Sequence, residues 1–191
     1  MKTRLLGVVC VCLIGGPTIA AADTIYDWNY TDGTLSASGT LDVNGGQALS
    51  GTGTVSTTNG ALSGPETLTL VTVSTPGANN LGGGNLSYRF GGGTDLIGDT
   101  IFNSSDPWVS TNGLVFLVGG AGDNGLNIWA NGSSPGGLYT AFLAGTANYE
   151  GTTGTFTAMI APVPLPAPLI LLISGVAGLG VMARRSRVSW A

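Results

Sequence analysis

The chain has 191 residues, of which 43% are hydrophobic and 33 are glycine, with no histidine and six basic against ten acidic residues. Lys2 and Arg4 lie before the first apolar run and Arg184, Arg185 and Arg187 after the last, so the stretch from Asp23 to Ala167 sets Arg89 alone against all ten acids, a formal charge of −9. That charge excludes nucleic acid, whose phosphates need clustered Lys and Arg, and the absence of His, Cys and Lys from the same stretch excludes catalytic triads, Schiff bases and histidine zinc sites.

The first predicted element is a signal helix. Lys2 and Arg4 precede the apolar run Leu5 to Ile14, then Gly15-Gly16-Pro17 and Ala20-Ala21-Ala22, the basic, apolar and small-residue order of a secretory leader. Residues 1–22 are therefore expected to be removed. Ala20 and Ala22 are the small residues of the cleavage site, and Asp23 becomes the new N-terminus. Cys10 and Cys12 leave with the leader, so the mature chain holds no disulfide. Neither cysteine has the context of a lipoprotein anchor.

From residue 23 to 161 the chain reads as one all-β ectodomain. Leu35, Ala37, Leu41 and Val43 alternate with Ser36, Ser38, Thr40 and Asp42, the pattern of a half-buried antiparallel strand. Tyr26, Trp28 and Tyr30 share a face in the strand before it. Similar runs span Leu49 to Val55, Leu68 to Val73, Leu86 to Phe90, Leu114 to Val118, Leu126 to Ala130, Leu138 to Leu143 and Thr155 to Ile160. Turn dipeptides separate them: Asp32-Gly33, Asn44-Gly45, Asn59-Gly60, Asn112-Gly113, Asn124-Gly125 and Asn131-Gly132. About nine short strands predict an antiparallel β-sandwich, jelly-roll-like, or a related barrel. The longest expected loop runs from Gly91 to Val109, where binding residues tend to gather on a β scaffold.

Several stretches carry the outline of a site. Gly132-Ser133-Ser134-Pro135-Gly136 fits the G-x-S-x-G pattern, but Pro135 lacks the N–H that the oxyanion hole requires. Gly120 to Gly125 fits G-x-G-x-x-G, yet Leu126-Asn127-Ile128-Trp129 alternates like a strand and does not open a helix, so a hairpin turn is expected. The overlapping stretch from Gly119 to Asn127 approaches a single calcium-binding repeat, where stacked copies are needed. Asp95, Asp99, Asp106 and Asp123 have the hard oxygens that Ca²⁺ takes, and two carboxylates could serve glycoside hydrolysis. Asp also favours turns for its own reasons, and no other cofactor is implied. Trp108, Trp129 and Tyr139 are the candidates for a sugar-stacking surface on extracellular polysaccharide, with Tyr26, Trp28 and Tyr30 assigned to the core.

The tail begins at residue 162. Val163-Pro164-Leu165-Pro166-Ala167 is followed by the apolar run Leu169 to Ala183 and by Arg184, Arg185 and Arg187. As a helix, 169–183 measures about 22 Å, short of the ~30 Å hydrocarbon core, so it spans with local thinning and snorkelling arginines. The arginines keep the extreme C-terminus cytoplasmic and place the body outside. A buried helix of the domain is the competing reading. Gly175, Gly178 and Gly180 weaken a helix in water but suit a membrane.

These tail residues resemble the VPLPA variant of the PEP-CTERM sorting signal of exported Gram-negative bacterial proteins. Val163 to Ala167 match the motif, 169–183 the membrane segment and the three arginines the basic end, with Val188-Ser189-Trp190-Ala191 as an extension beyond the pattern. The resemblance implies processing by a membrane-embedded exosortase, transient anchoring through the C-terminal helix, and a final place on the cell surface or outside it. A non-enzymatic matrix or surface role is the expectation that follows. A carbohydrate-binding module and a carboxylate-dependent glycoside hydrolase are the alternatives.

Overall fold

The computed structural model describes residues 23–120, 123–132, 135–145 and 149–162. The leader with Ala20 and Ala22, the VPLPA motif, the run 169–183, the three arginines, and Ser133 and Ser134 lie outside the described residues. No helix among the described residues is long and apolar enough to cross a membrane.

Eleven strands form: β1 (Thr24–Thr31), β2 (Leu35–Asn44), β3 (Gln47–Thr57), β4 (Glu66–Leu70), β5 (Ala78–Gly82), β6 (Asn85–Arg89), β7 (Asp95–Asp99), β8 (Leu114–Val118), β9 (Asn124–Ala130), β10 (Tyr139–Gly145) and β11 (Tyr149–Ile160). Eight of them close a barrel in the order β1-β11-β10-β9-β8-β4-β3-β2, and β5-β6-β7 make a separate three-stranded sheet. All the pairings are antiparallel.

Alternation decides which side chains enter the barrel. Trp28 and Tyr30 of β1, Leu35, Ala37 and Leu41 of β2, Phe116 of β8 and Phe156 of β11 point inward and are buried. The rings stack: Trp28 lies 5.2 Å from Phe116 and 5.8 Å from Phe156. Each such aromatic contact adds about 0.5–1.5 kcal/mol beyond burial alone. Along one row across β11, β1, β2, β3 and β4 the outward positions are polar. Asn29 sits between Thr157 and Ser38, which faces Thr54, which faces Thr67, and all five are exposed. This is the reverse of a membrane-spanning barrel, whose outward band is apolar.

Glycine fits where backbones or rings close in. Asn44 pairs with Gln47, leaving Gly45-Gly46 as the two-residue turn, with φ of 57° and 80°. Both residues are left-handed, as a type I′ hairpin requires. Gly125 is not in a turn, contrary to the sequence pattern: it lies inside β9, where an added Cβ would stand 2.3 Å from the Phe90 ring.

The second sheet builds a second core on the outer surface of the barrel. Leu86, Phe90 and Leu96 pack with Val71, with Val115 of β8 and with Ala144 of β10. The all-β antiparallel class expected from the sequence is what forms, with sandwich-like layering confined to this contact. The jelly-roll order is not: strands follow one another as a meander, interrupted between β4 and β8, and the large sheet closes on itself. Two strands, β5 and β7, were not anticipated. The second of these cuts the expected loop 91–109 to the stretch after Asp99.

Candidate functional site

The loop after β7 folds back over one end of the barrel. Phe102 and Val109 pair there and are buried, and the Phe102 ring lies 5.0 Å from that of Tyr26, tilted at 57°. Trp108 completes the plug, 6.3 Å from Tyr26 and 6.1 Å from Phe102. Its remaining surface, half-buried, faces a cleft of about 310 Å³ shared with Asp106, Tyr139, Thr155 and Thr157.

Three polar groups hold that cleft. The Trp108 backbone N–H donates 2.9 Å to the Tyr139 hydroxyl, which itself donates to the Asp106 carboxylate. The second Asp106 oxygen accepts the Gly136 N–H. Asn103 donates from its side chain to the Pro107 carbonyl and from its backbone, at 2.8 Å, to that of Trp108. The Asp106-Pro107 bond is cis. Burial first, and then the bond to Asp106, push the Tyr139 phenol well above its ordinary value, so near neutrality it is a fixed donor and not an acid or base.

Of the predicted sugar-stacking residues, Trp108 and Tyr139 meet in this cleft, while Trp129 does not. Trp129 sits half-buried on the outer face of β9, in a groove of about 400 Å³ with Asn127, Thr140 and Phe142. Tyr139 is 2% exposed and packs 5.4 Å from Phe156. Its ring belongs to the core and only its hydroxyl serves the cleft. Trp108 is therefore the aromatic surface this cleft offers.

The four aspartates are spread over the two ends of β7, the loop after it and the β8–β9 hairpin. Asp95 opens β7 opposite Arg89, and Asp123 is exposed in the β8–β9 hairpin. Asp106 is engaged as described. Asp99, 1% exposed, accepts from the Ser110 hydroxyl at 2.6 Å and the Ile101 N–H at 2.9 Å. No group of three or more His, Cys, Asp or Glu that could hold a metal ion occurs among the described residues. As for a glycosidase pair, the described lining of the cleft contains one carboxylate, with both its oxygens bonded.

Asn127 escaped the sequence reading. Buried on the outward face of β9, it donates 3.0 Å to the Ile97 carbonyl and 3.2 Å to that of Asn112, tying the second sheet and the loop to the barrel. Its signal was a polar residue within Leu126-Asn127-Ile128-Trp129, at a position the alternation assigned to solvent. Asp23, the expected mature N-terminus, accepts 2.6 Å from Asn44.

Compared with protein-family models, curated proteins and solved structures, the chain matches none of them.

Proposed function

We propose that this chain is an exported bacterial surface or extracellular-matrix protein with a structural or interaction role and no chemistry of its own. Its leader carries it across the inner membrane, its tail helix 169–183 anchors it briefly, and an exosortase-like membrane enzyme processes it at Val163 to Ala167. The observation that best supports this reading is the seam of the barrel. β1 starts at Thr24 and β11 ends at Ile160, and these two strands pair with each other from Tyr26↔Ile160 to Thr31↔Thr155. Every strand needed for closure thus lies between the two expected processing sites, and cuts at both leave the barrel whole. Replacing Pro164 and Pro166 with alanine in an exosortase-bearing bacterium is expected to hold the protein in the inner membrane with its tail attached. An unchanged distribution would argue against tail-directed sorting.

A second reading is supported by the cleft at Trp108. An aromatic face beside the hydroxyls of Thr155 and Thr157, in a body with one cation, suits a neutral sugar better than an anion. On this reading Trp108→Ala lowers retention on extracellular polysaccharide about tenfold, the equivalent of about 1.4 kcal/mol. Unaltered retention would remove it.

A further inference from the structure

The apolar side chains left in solvent are not scattered. Among the described residues the large exposed ones are Ile25, Leu49, Val73, Leu81, Ile97, Ile101, Leu138, Met159 and Ile160. Leu81 and Ile97 belong to the second sheet. The other seven share one end of the barrel. Ile25 lies at the start of β1, Leu49 near the start of β3, Val73 just past β4, Leu138 just before β10, and Met159 and Ile160 close β11. Ile101 bridges to Gln47 at the same end. The opposite end, formed by the β1–β2, β3–β4, β8–β9 and β10–β11 connections, has none of them.

The crowded end is also where the chain departs for its tail. β11 ends at Ile160, whose neighbour Ala161 donates its N–H 2.8 Å to the Ile25 carbonyl. Between Pro162 and the apolar run at Leu169 lie six residues, 163–168, so the two ends are at most about 25 Å apart even when the link is fully extended. The polar layer outside the hydrocarbon core is itself about 5–8 Å deep on each side. While the tail is in the bilayer, this end of the barrel is tethered within reach of the headgroups, and tethering raises its effective concentration there without any new contact.

We propose that this rim is a membrane-docking surface: Ile25, Leu49, Val73, Leu138, Met159 and Ile160 rest in the interfacial layer of the bilayer before processing. The inference rests on the proposed anchoring by the tail. The partner is a lipid surface of zwitterionic headgroups, because the charged side chains at this end are the carboxylates Asp23, Asp27, Asp42 and Asp106, which an anionic surface would repel. Apolar burial in the interface, not charge, supplies the attraction. Docking also brings Val163 to Ala167 down to the membrane plane, where a membrane-embedded enzyme must meet them.

The test uses the exported chain with its tail intact and its leader, which carries Cys10 and Cys12, removed, reconstituted into phosphatidylcholine vesicles. A polarity-sensitive probe is attached through Ser74→Cys at the apolar end or Thr58→Cys at the other, with nitroxide-labelled lipid as quencher. The expected result is co-flotation with vesicles and quenching several-fold stronger at position 74 than at 58. Adding Leu49→Ser, Met159→Ser and Ile160→Ser should abolish that difference without changing flotation. Flotation with equal quenching at both positions overturns the docking surface and leaves tail anchoring intact. Absence of flotation overturns the anchoring and the docking with it. Energy transfer between copies without lipid quenching overturns the proposal in favour of a second copy as the occupant of the rim.

Discussion

Tyr139 places one hydroxyl between the backbone of Trp108 and the carboxylate of Asp106, and so fastens the aromatic loop to the barrel wall. The same phenol and that of Tyr30 are both pushed above the ordinary 10.0, chiefly by burial and then by a neighbouring carboxylate, Asp106 or Asp32. A raised value means that the folded state holds the phenolic proton more tightly than the unfolded chain does. The contribution is therefore complete below the unfolded value, about 10, and is lost as pH climbs beyond it. Denaturant midpoints are expected to be level through neutrality and to fall above about pH 10. Tyr139→Phe should cost about 1–2 kcal/mol at neutral pH and make the alkaline decline shallower. Midpoints that stay constant into strong alkali would contradict this assignment. Residue type alone made Tyr139 and Trp108 aromatic candidates. It could not separate a ring that fills the core from one that faces a cleft, because both need a large apolar body and a polar tip.

Among the elements, the loop from Thr100 to Gly113 gets its shape from a buried carboxylate. Asp99 takes the Ser110 hydroxyl and the Ile101 N–H, and the Ser110 oxygen in turn accepts the Asn112 and Gly113 N–H groups at 3.0 and 3.1 Å. Asp99→Ala strands these donors, and the expected loss is about 2–3 kcal/mol, read as a shift of the urea midpoint. A shift below a few tenths would mean that the loop holds itself. Leu35 to Val43 and Leu114 to Val118 were legible in the sequence because one face is buried and the other wet, or both are buried. Ala78–Gly82 and Asp95–Asp99 were not. They are the edges of a small sheet, with Asn79, Asn80, Leu81 and Ile97 in solvent, so neither shows a clean two-residue period. Asn124-Gly125 misled for a related reason, since a glycine that admits the Phe90 ring looks in sequence like a glycine that admits a turn.

At the scale of the whole molecule, two cores share the strands β8 and β10, one inside the barrel and one outside. Barrel closure depends on pairing between distant strands, which is why the strand pattern named the class but not the order. The cleft was legible only as the scattered residues Asp106, Trp108 and Tyr139, since their meeting depends on the loop returning over the barrel end. Both ends of the closed body emerge side by side, and each leads directly into a segment whose composition reads as an address. Strands β1 to β11 lie between the two proposed processing sites, at Ala22-Asp23 and at Val163 to Ala167. Mass spectrometry of the mature protein recovered from the exporting cell tests those two cuts most directly. The expected mature chain begins at Asp23 and lacks Leu169 to Ala191; one that retains either the leader or the arginine-flanked tail would contradict the proposed processing.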